Sequence, residues 1–298
     1  RVRFRSSENG KLVLQIPPSE QPLHLNVAVT HDESDSVKEQ KPSHQVVNLL
    51  ERTKGGPRRW ETTHTLKGRL ATSTFQGYAM DSVTVPLKNA YNSWMRTSSL
   101  AFFPDGKLAV GTLPGDVWIV SGINDELDQV TWQRFAAGLY EPLGMKVVDG
   151  VLTAITRGRI VKLHDYNQDG EADFYEAFFN EDEPDKGWHA YNFDLEVGKD
   201  GSFYYGRTGG FSQWSVPGGV VKVSADGKSS KVLGAGLRVP NGIGKLPDGR
   251  ITLGDNQGTY VPASKISITG ENAFHGAGSW TKHGDKYDPE KIIEPIVY

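Results

Sequence analysis

An Asp-Gly turn between two apolar segments recurs four times along this chain, and this repeat limits the possible folds more than any other feature. The turns begin at Asp105, Asp149, Asp200 and Asp248, with spacings of 44, 51 and 48 residues. A period of about 40–50 residues fits one four-stranded propeller blade. A β-sandwich also has short strands and frequent turns, but it does not predict a long repeat with a constant internal order. We therefore predict an all-β protein with a β-propeller fold.

The number of repeats bears on the size of the ring. Four clear repeats cover about residues 93–270, and the 34 Gly and 16 Pro residues indicate many turns between short elements. Closed propellers have about 4–8 blades. We predict a six-bladed ring, of which this chain shows four clear blades and lacks the last ones.

Residues 1–75 lack the repeat. NGKLVLQI and HLNVAVTH have the alternation of strands, and HQVVNLLERTKGG is predicted to be a short helix. We expect residues 1–75 to be a β segment and linker, the tail of a separate small β domain, and residues 76–298 to be the propeller. Because Arg1 lies inside a strand-like run and IIEPIVY ends abruptly, we also expect the chain to be cut from a longer protein.

Composition excludes several functional classes. The formal net charge is -3 and the basic residues are scattered, so no nucleic-acid partner is expected. No apolar run reaches the length of a membrane span. The chain has no cysteine, which excludes disulfides, thiolate metal sites and covalent haem attachment within it. This composition is compatible with an exported protein.

The stretch HDYNQDGEADFYEAFF, residues 164–179, has the spacing of a twelve-residue calcium loop. Oxygen donors recur at every second position, and Gly170 occupies the sixth position, where the loop turns sharply. The candidate calcium ligands are Asp165, Asn167, Asp169, Glu171 through its carbonyl, Asp173 and Glu176. The flanking segments have strand character, so the metal would be a structural staple between two strands. A polar turn without metal is the alternative.

A second set of candidates should line the channel mouth. In a propeller the innermost strand of each blade borders the channel, so residues eight to twelve positions before each turn Asp should converge on the axis. The candidates at these positions are Arg96, Tyr140, Glu141, His189, Asn192 and Arg238, and Asn241, seven positions before Asp248, is added to them. His189 is a candidate general base because its ordinary pKa lies near neutrality. Arg238 is a candidate for stabilising an anion, and Asn241 for ligating a metal or orienting a hydroxyl. Each residue alone also fits an ordinary structural role.

The blade motifs resemble those of a known family. The runs NSWMRTSSLAFFPDGKLAVGTLPGDVWIVSGI, TWQRFAAGLYEPLGMKV, RIVKLHDYNQDGEADFYEAF and GLRVPNGIGKLPDG resemble large secreted bacterial propeller proteins, often fused to a c-type cytochrome domain. These proteins look like distant relatives of soluble quinoprotein sugar dehydrogenases.

That resemblance implies a periplasmic or extracellular protein that oxidises a sugar or polyol and passes electrons to a cytochrome. His189 would abstract the hydroxyl proton while hydride passes to pyrroloquinoline quinone (PQQ). Arg238 and Arg96 would hold the anionic cofactor, and Tyr140 and Asn192 complete the candidate cofactor-binding residues.

Two alternatives stay open. PNGIGKLPDGRITLGDN, residues 240–256, is similar to the Asn-Gly motif of gluconolactonase-type propellers. In that reading Asn241 would ligate a catalytic divalent metal, with Glu141 as a candidate partner. The other alternative is a propeller without catalysis that binds carbohydrate or protein, because a fold alone does not confer chemistry.

Overall fold

The chain divides into two compact units, Arg1–Thr53 and Lys54–Tyr298. The structure, a computed structural model, describes residues 3–6, 12–20, 23, 25, 49–182, 189–209, 218–258, 261–277 and 292–298. In the first unit β1 (Arg3–Ser6) and β2 (Leu12–Gln15) form an antiparallel hairpin. The predicted strand HLNVAVTH lies almost wholly outside the described residues. The predicted helix corresponds to a short 3₁₀ helix, Leu49–Lys54.

The described residues of the second unit form seventeen strands. They are β3 (His64–Leu66), β4 (Thr97–Phe102), β5 (Leu108–Thr112), β6 (Val117–Ser121), β7 (Val130–Ala136), β8 (Gly144–Val148), β9 (Val151–Thr156), β10 (Arg159–His164), β11 (Phe174–Asn180), β12 (Asn192–Val197), β13 (Phe203–Arg207), β14 (Gly219–Val223), β15 (Ser230–Ala235), β16 (Asn241–Lys245), β17 (Ile251–Asp255), β18 (Lys265–Thr269) and β19 (Ala273–Phe274).

These strands form four blades, which confirms the predicted β-propeller. The sheet orders are β3-β7-β6-β5-β4, β11-β10-β9-β8, β12-β13-β14-β15-β19 and β16-β17-β18. Within each blade successive strands pair antiparallel, and β19 adds to β15 in parallel. The inner strands pack in order, β4 against β8, β8 against β12, and β12 against β16. The described residues thus supply four blades, and the six-bladed ring stays a prediction.

The boundary between the units differs from the predicted one. It lies between Thr53 and Lys54 rather than after residue 75. The physical reason is that β3 pairs with β7 and becomes the outermost strand of the first blade. Residues 54–75 therefore fold with the propeller unit.

The Asp-Gly turns close the inner hairpin of each blade. Gly106, Gly150, Gly201 and Gly249 all have positive φ, between 76° and 96°, a conformation that glycine adopts without a steric penalty. In three of the four turns the Asp carboxylate accepts a hydrogen bond from the amide two residues later, at 3.0–3.1 Å. Both residues of the motif thus have a local structural role.

Apolar clusters between neighbouring blades form the core. Phe135, Leu152 and Leu163 pack between the first and second blades. Ile155 and Tyr205 pack between the second and third blades. The burial of apolar side chains between neighbouring blades stabilises the packing of one blade against the next. No helix among the described residues is long and apolar enough to cross a membrane.

Strand direction separates two faces of the ring. The mouth face carries the segments that lead into the inner strands β4, β8, β12 and β16. The turn face carries the four Asp-Gly turns and the loop between β10 and β11, residues 165–173. The predicted channel residues therefore lie on the mouth face, and the predicted calcium loop lies on the turn face.

Candidate functional site

Three equivalent residues lead into the first three inner strands. Arg96, Tyr140 and Tyr191 each lie nine residues before the Asp of their blade's turn. The carbonyl of each accepts a hydrogen bond from the amide 17 residues later, at 2.8, 3.0 and 3.1 Å respectively. This bond fixes the start of the inner strand against the next hairpin loop of the same blade. The same backbone hydrogen bond therefore recurs on the mouth face of the first three blades, at an arginine in the first blade and at a tyrosine in the second and third.

Arg157 joins the second and third blades on this face. Its Nε lies 2.9 Å from Oε2 of Glu141, and each of the two side chains is only 16% exposed. Its guanidinium also lies over the rings of Tyr140, at 5.2 Å, and Tyr191, at 5.5 Å. A planar cation between two aromatic rings and a carboxylate is held by charge and by stacking at once. We call Tyr140, Glu141, Arg157 and Tyr191 the Arg157 cluster.

Glu141 occupies a strained position in this cluster. Its φ is 53°, in the left-handed region that non-glycine residues seldom adopt. Such conformations persist only where surrounding contacts hold them. The ion pair with Arg157 is one such contact, so the carboxylate has a fixed direction.

His189 and Asn192 flank Tyr191 in sequence. His189 is half-buried, and its ring meets that of Tyr191 edge-on at 6.3 Å. Asn192 is 3% exposed, and its Nδ2 donates to the carbonyl of Thr156 at 3.3 Å. Its Oδ1 is buried and has no hydrogen-bond partner among the described residues. The structure thus brings His189 to the Arg157 cluster, whereas Asn192 lies beneath the surface and ties the third blade to the second.

Arg238 and Asp255 form a second group in the fourth blade. The amides of Arg238 and Val239 both donate to the carboxylate of Asp255, at 2.9–3.2 Å. The Arg238 Nη1 donates to the carbonyl of Gln257 at 3.1 Å. Its Nε is buried without a hydrogen-bond acceptor among the described residues. Arg238 therefore retains a donor that an anionic group could satisfy.

Asn241 is exposed and lines a pocket of about 440 Å³ together with Asp255 and Asn256. These oxygen donors are the type that a divalent cation prefers. However, the ammonium group of Lys265 lies 3.6 Å from the Asp255 carboxylate, and both side chains are almost wholly buried. Burial raises the pKa of Asp255 in spite of the hydrogen bonds that it accepts. A buried positive charge at this position opposes the binding of a divalent cation here.

Arg96 is exposed and stands apart in the first blade. Its guanidinium lies 5.6 Å from the ring of Trp94. The seven predicted channel residues therefore share the mouth face, but their described contacts divide them into three groups. The first group lies in or beside the Arg157 cluster and consists of Tyr140, Glu141, His189 and Asn192. The second group lies in the fourth blade and consists of Arg238 and Asn241. Arg96 lies alone in the first blade.

The first part of the predicted calcium loop is tightly folded. The carboxylate of Asp165 accepts hydrogen bonds from the amides of Asp169 and Gly170, at 3.1 and 2.9 Å. The side-chain oxygen of Asn167 also accepts from the Asp169 amide, at 3.1 Å. Burial raises the pKa of Asp165, and the nearby carboxylates of Asp169 and Asp173 raise it further. Negative charge is thus concentrated in this loop.

The later residues of the loop have other partners. The buried carboxylate of Glu171 accepts hydrogen bonds from the amides of Arg59 and Trp60 and pairs with Nε of Arg59 at 2.5 Å. Asp173 accepts from the Gly56 amide at 2.8 Å. Residues 55–60 are therefore docked onto the loop. Glu171 was expected to contribute only its carbonyl, and its side chain has this separate role.

Glu176, expected at the twelfth loop position, lies within β11. Its carboxylate is 2.6 Å from Nε2 of His164. Among the residues that the structure describes, no three His, Asp or Glu side chains form a group that could hold a metal ion. The predicted six-residue ligand set is thus divided. Asp165, Asn167 and Asp169 lie together in the tight turn, and Asp173 closes the same turn by accepting from the Tyr166 amide at 2.8 Å. Glu171 and Glu176 are paired with Arg59 and His164 instead.

Sequence reasoning missed Arg157 and Tyr191. Tyr191 was detectable, because it occupies the same offset before its turn Asp as Tyr140 and Arg96. Arg157 follows β9 rather than preceding an inner strand, so it does not lie among the residues counted back from a turn Asp. Its position 17 residues after Tyr140 becomes meaningful only when the repeated backbone bond is known.

No family model and no curated protein matches this chain. Among solved structures it is similar to the PQQ-bound form of an aldose sugar dehydrogenase from Streptomyces coelicolor, with a TM-score of 0.53 and 15% identity over 69% of this chain and 68% of that one. It is also similar to a glucose dehydrogenase, with a TM-score of 0.50 and 14% identity over 67% of this chain and 71% of that one.

A gluconolactonase from Xanthomonas campestris has 18% identity over 63% of this chain and 61% of that one, with a TM-score of 0.42. The structural neighbours thus include sugar dehydrogenases and gluconolactonases. At these identities the likeness shows the fold alone, and the chain shares the β-propeller fold of these enzymes.

Proposed function

We propose that this chain is an exported propeller enzyme that oxidises a hydroxyl of a sugar or polyol on its mouth face, with PQQ as cofactor. The observation that carries the proposal is the Arg157 cluster with His189 beside it. It combines aromatic faces, fixed charges and a half-buried imidazole where the inner strands of two blades begin. Convergent polar and aromatic groups of this kind are typical of small-molecule sites.

The mouth face has groups that suit PQQ, a planar quinone with three carboxylates. Arg238 is partly exposed and Arg96 is exposed, so their guanidinium groups would be the partners of the carboxylates. The charge of Arg157 is already balanced by Glu141, so Arg157 would orient the tyrosines rather than neutralise the cofactor. Bound PQQ would supply the acceptor for the substrate hydride.

The chain's own contribution would be proton transfer and positioning. His189 would accept the proton of the substrate hydroxyl at a ring nitrogen, a role that is typically worth 10²–10⁴-fold in rate. The rings of Tyr140 and Tyr191 would flank the apolar face of the sugar. We extend the proposal to a c-type cytochrome domain or protein as electron acceptor and to a periplasmic or extracellular location, as implied by the family resemblance of the blade motifs.

We also propose calcium as a structural staple on the turn face. Asp165, Asn167 and Asp169 supply closely spaced oxygens in the 165–173 loop. Burial raises the pKa of Asp165, and repulsion by the carboxylates of Asp169 and Asp173 adds to this effect. A bound cation would relieve that repulsion. Glu171 and Asp173 would continue to hold residues 55–60, since their oxygens already accept hydrogen bonds there.

A lactonase is the enzymatic rival. Asn241 and Asn256 line one pocket with Asp255, which favours a polar ligand in the fourth blade. The buried ammonium of Lys265 argues against a divalent metal at Asp255, so we place this function second.

Dye-linked assays separate these functions. Protein supplied with PQQ and calcium should reduce a dye in the presence of at least one member of an aldose and polyol panel, and His189→Ala should lower kcat by about 10²–10⁴-fold. Lactone hydrolysis that needs a divalent metal but no PQQ, and that is lost in Asn241→Ala, would establish the rival. If neither activity appears, the proposal is wrong and the chain is a non-catalytic carbohydrate- or protein-binding propeller.

A further inference from the structure

A second pocket of about 440 Å³ opens on the turn face, between the first and second blades. Its volume lies within the range of about 300–1,000 Å³ that is typical of small-molecule sites. Its floor is apolar and comes from both blades, with Phe103, Ile119, Phe135, Leu152 and Leu163. Strand direction places it at the opposite end of the blades from the Arg157 cluster. The dehydrogenase proposal does not use this pocket.

One wall of the pocket is an aromatic stack. The ring of Tyr166 is stacked on His164, with centroids 5.5 Å apart and an angle of 20° between the ring planes. His164 is stacked in turn near Phe174, at 5.8 Å. Tyr166 is still 49% exposed, so part of it is available to a ligand. The Asp165 carboxylate anchors the turn that follows through its bonds to the Asp169 and Gly170 amides. The wall is therefore held in place before any ligand arrives.

Polar groups also line the pocket, among them Ser121, Thr131, Gln133 and Gln168. Nε2 of Gln133 donates to the carbonyl of Gly170 at 2.7 Å, which fixes the amide and leaves its Oε1 as an acceptor. The hydroxyl of Ser121 lies on the same side of the first blade, and the ion pair of Asp105 with Lys107, at 2.8 Å, borders the opening. The pocket thus combines an apolar floor with hydrogen-bonding groups along its lining.

We infer that this pocket binds a flat aromatic small molecule with a hydroxyl group on one edge, such as a phenol. The aromatic ring would pack on the apolar floor and against Tyr166, where offset or edge-on ring contacts are favourable. Its hydroxyl would reach the rim at Gln133. A free sugar fits this site poorly, because its hydroxyls surround the ring and several would be buried against apolar side chains without hydrogen bonds.

Calorimetric titration with 4-hydroxybenzyl alcohol tests the inference, with glucose titrated in parallel. We expect the phenol to bind the unmodified protein and glucose not to bind in this pocket. Tyr166→Ala should weaken phenol binding by about 2- to 10-fold, the equivalent of one aromatic contact. Ser121→Phe should abolish binding, because the new ring would fill the pocket. Tyr78→Ala, at an exposed tyrosine outside the pocket lining, should leave the affinity unchanged.

Absence of phenol binding to the unmodified protein would overturn the inference. An unchanged phenol affinity in Tyr166→Ala would overturn it too. If circular dichroism shows that Ser121→Phe does not fold, the Tyr166→Ala measurement alone decides the test. Glucose binding that Ser121→Phe abolishes would show that the ligand class is wrong. The substitutions in the pocket leave the mouth face untouched, so these results are independent of the proposed dehydrogenase activity.

Discussion

The carboxylate of Asp173 accepts a hydrogen bond from the amide of Gly56 at 2.8 Å, across 117 residues of chain. With the bonds from Arg59 and Trp60 to Glu171, it docks residues 55–60 onto the loop between β10 and β11. This contact explains why the propeller unit begins at Lys54. It also means that an acidic loop with the spacing of a calcium site has a second role within the fold.

Gly55→Ala should disrupt this docking. Gly55 has a φ of 93°, and an added Cβ would lie 2.6 Å from an oxygen of Asp173. Strain and steric overlap together should lower the free energy of unfolding by more than about 1 kcal/mol, as measured by denaturant titration. Gly56→Ala is the matched control, because its Cβ would meet no atom within 4 Å. Equal effects of the two substitutions would contradict the docking contact.

Glu141→Gln should destabilise the protein because it removes the carboxylate that pairs with the guanidinium of Arg157 at 2.9 Å. Both side chains are largely buried, so we expect a loss of about 1–3 kcal/mol in the free energy of unfolding. Adding Arg157→Met should restore part of the lost stability, since it removes the charge that the Glu141 carboxylate balances. Asp248→Asn, which breaks an exposed pair with Arg250, should have no measurable effect. Strictly additive losses in the double variant would show that the two side chains do not interact.

Calcium should raise the melting temperature if the 165–173 loop binds it. A ligand that binds only the folded state stabilises it by about 2.7 kcal/mol at 100 times its Kd. Scanning calorimetry of chelated protein, with and without added calcium, measures the difference. Asp169→Ala should remove the calcium response, whereas Asp226→Ala, in the turn between β14 and β15, should keep it. Identical melting of the unmodified protein in both conditions would refute the staple.

Acid stability should depend on His275. Burial, together with the neighbouring charge of Lys265, lowers the pKa of this histidine to about 4. The unfolded chain takes up the proton near pH 6.5 and the folded protein does so only near pH 4, so stability is complete above pH 6.5 and falls between these values. We expect a loss on the order of 2–3 kcal/mol across this window. In His275→Gln the free energy of unfolding should decrease less across this window, by that same amount. A pH profile identical to that of the unmodified protein would show that the pKa of His275 is the same in the folded and unfolded states.

The blades were predictable because each repeats one turn. The Asp and Gly of that turn have local roles, with a side-chain bond and a positive φ, so they remain visible in the sequence. The outer strands β3 and β19 were not predictable. They have only three and two residues and pair across the fold, so neither shows a strand period of its own.

The candidate site was predictable in part for the same reason. Tyr140 and Tyr191 share an offset from the turn, so a count of residues locates both. The neutralisation of Arg157 by Glu141 depends on the direction of two side chains, and sequence spacing carries no information on that direction. Similarly, the spacing that placed Glu176 in the calcium loop does not show that β11 has already begun at Phe174.

The most direct test of the proposed function is equilibrium dialysis of the purified protein against PQQ, followed by the absorbance of the quinone. We expect the unmodified protein to retain PQQ, and Arg238→Met to weaken retention by about 10- to 100-fold, the equivalent of one lost hydrogen bond to a charged group. Arg250→Met, which removes an exposed arginine on the turn face, should bind as the unmodified protein does. Failure of the unmodified protein to retain PQQ, or equal retention by all three proteins, would contradict a quinone site on the mouth face.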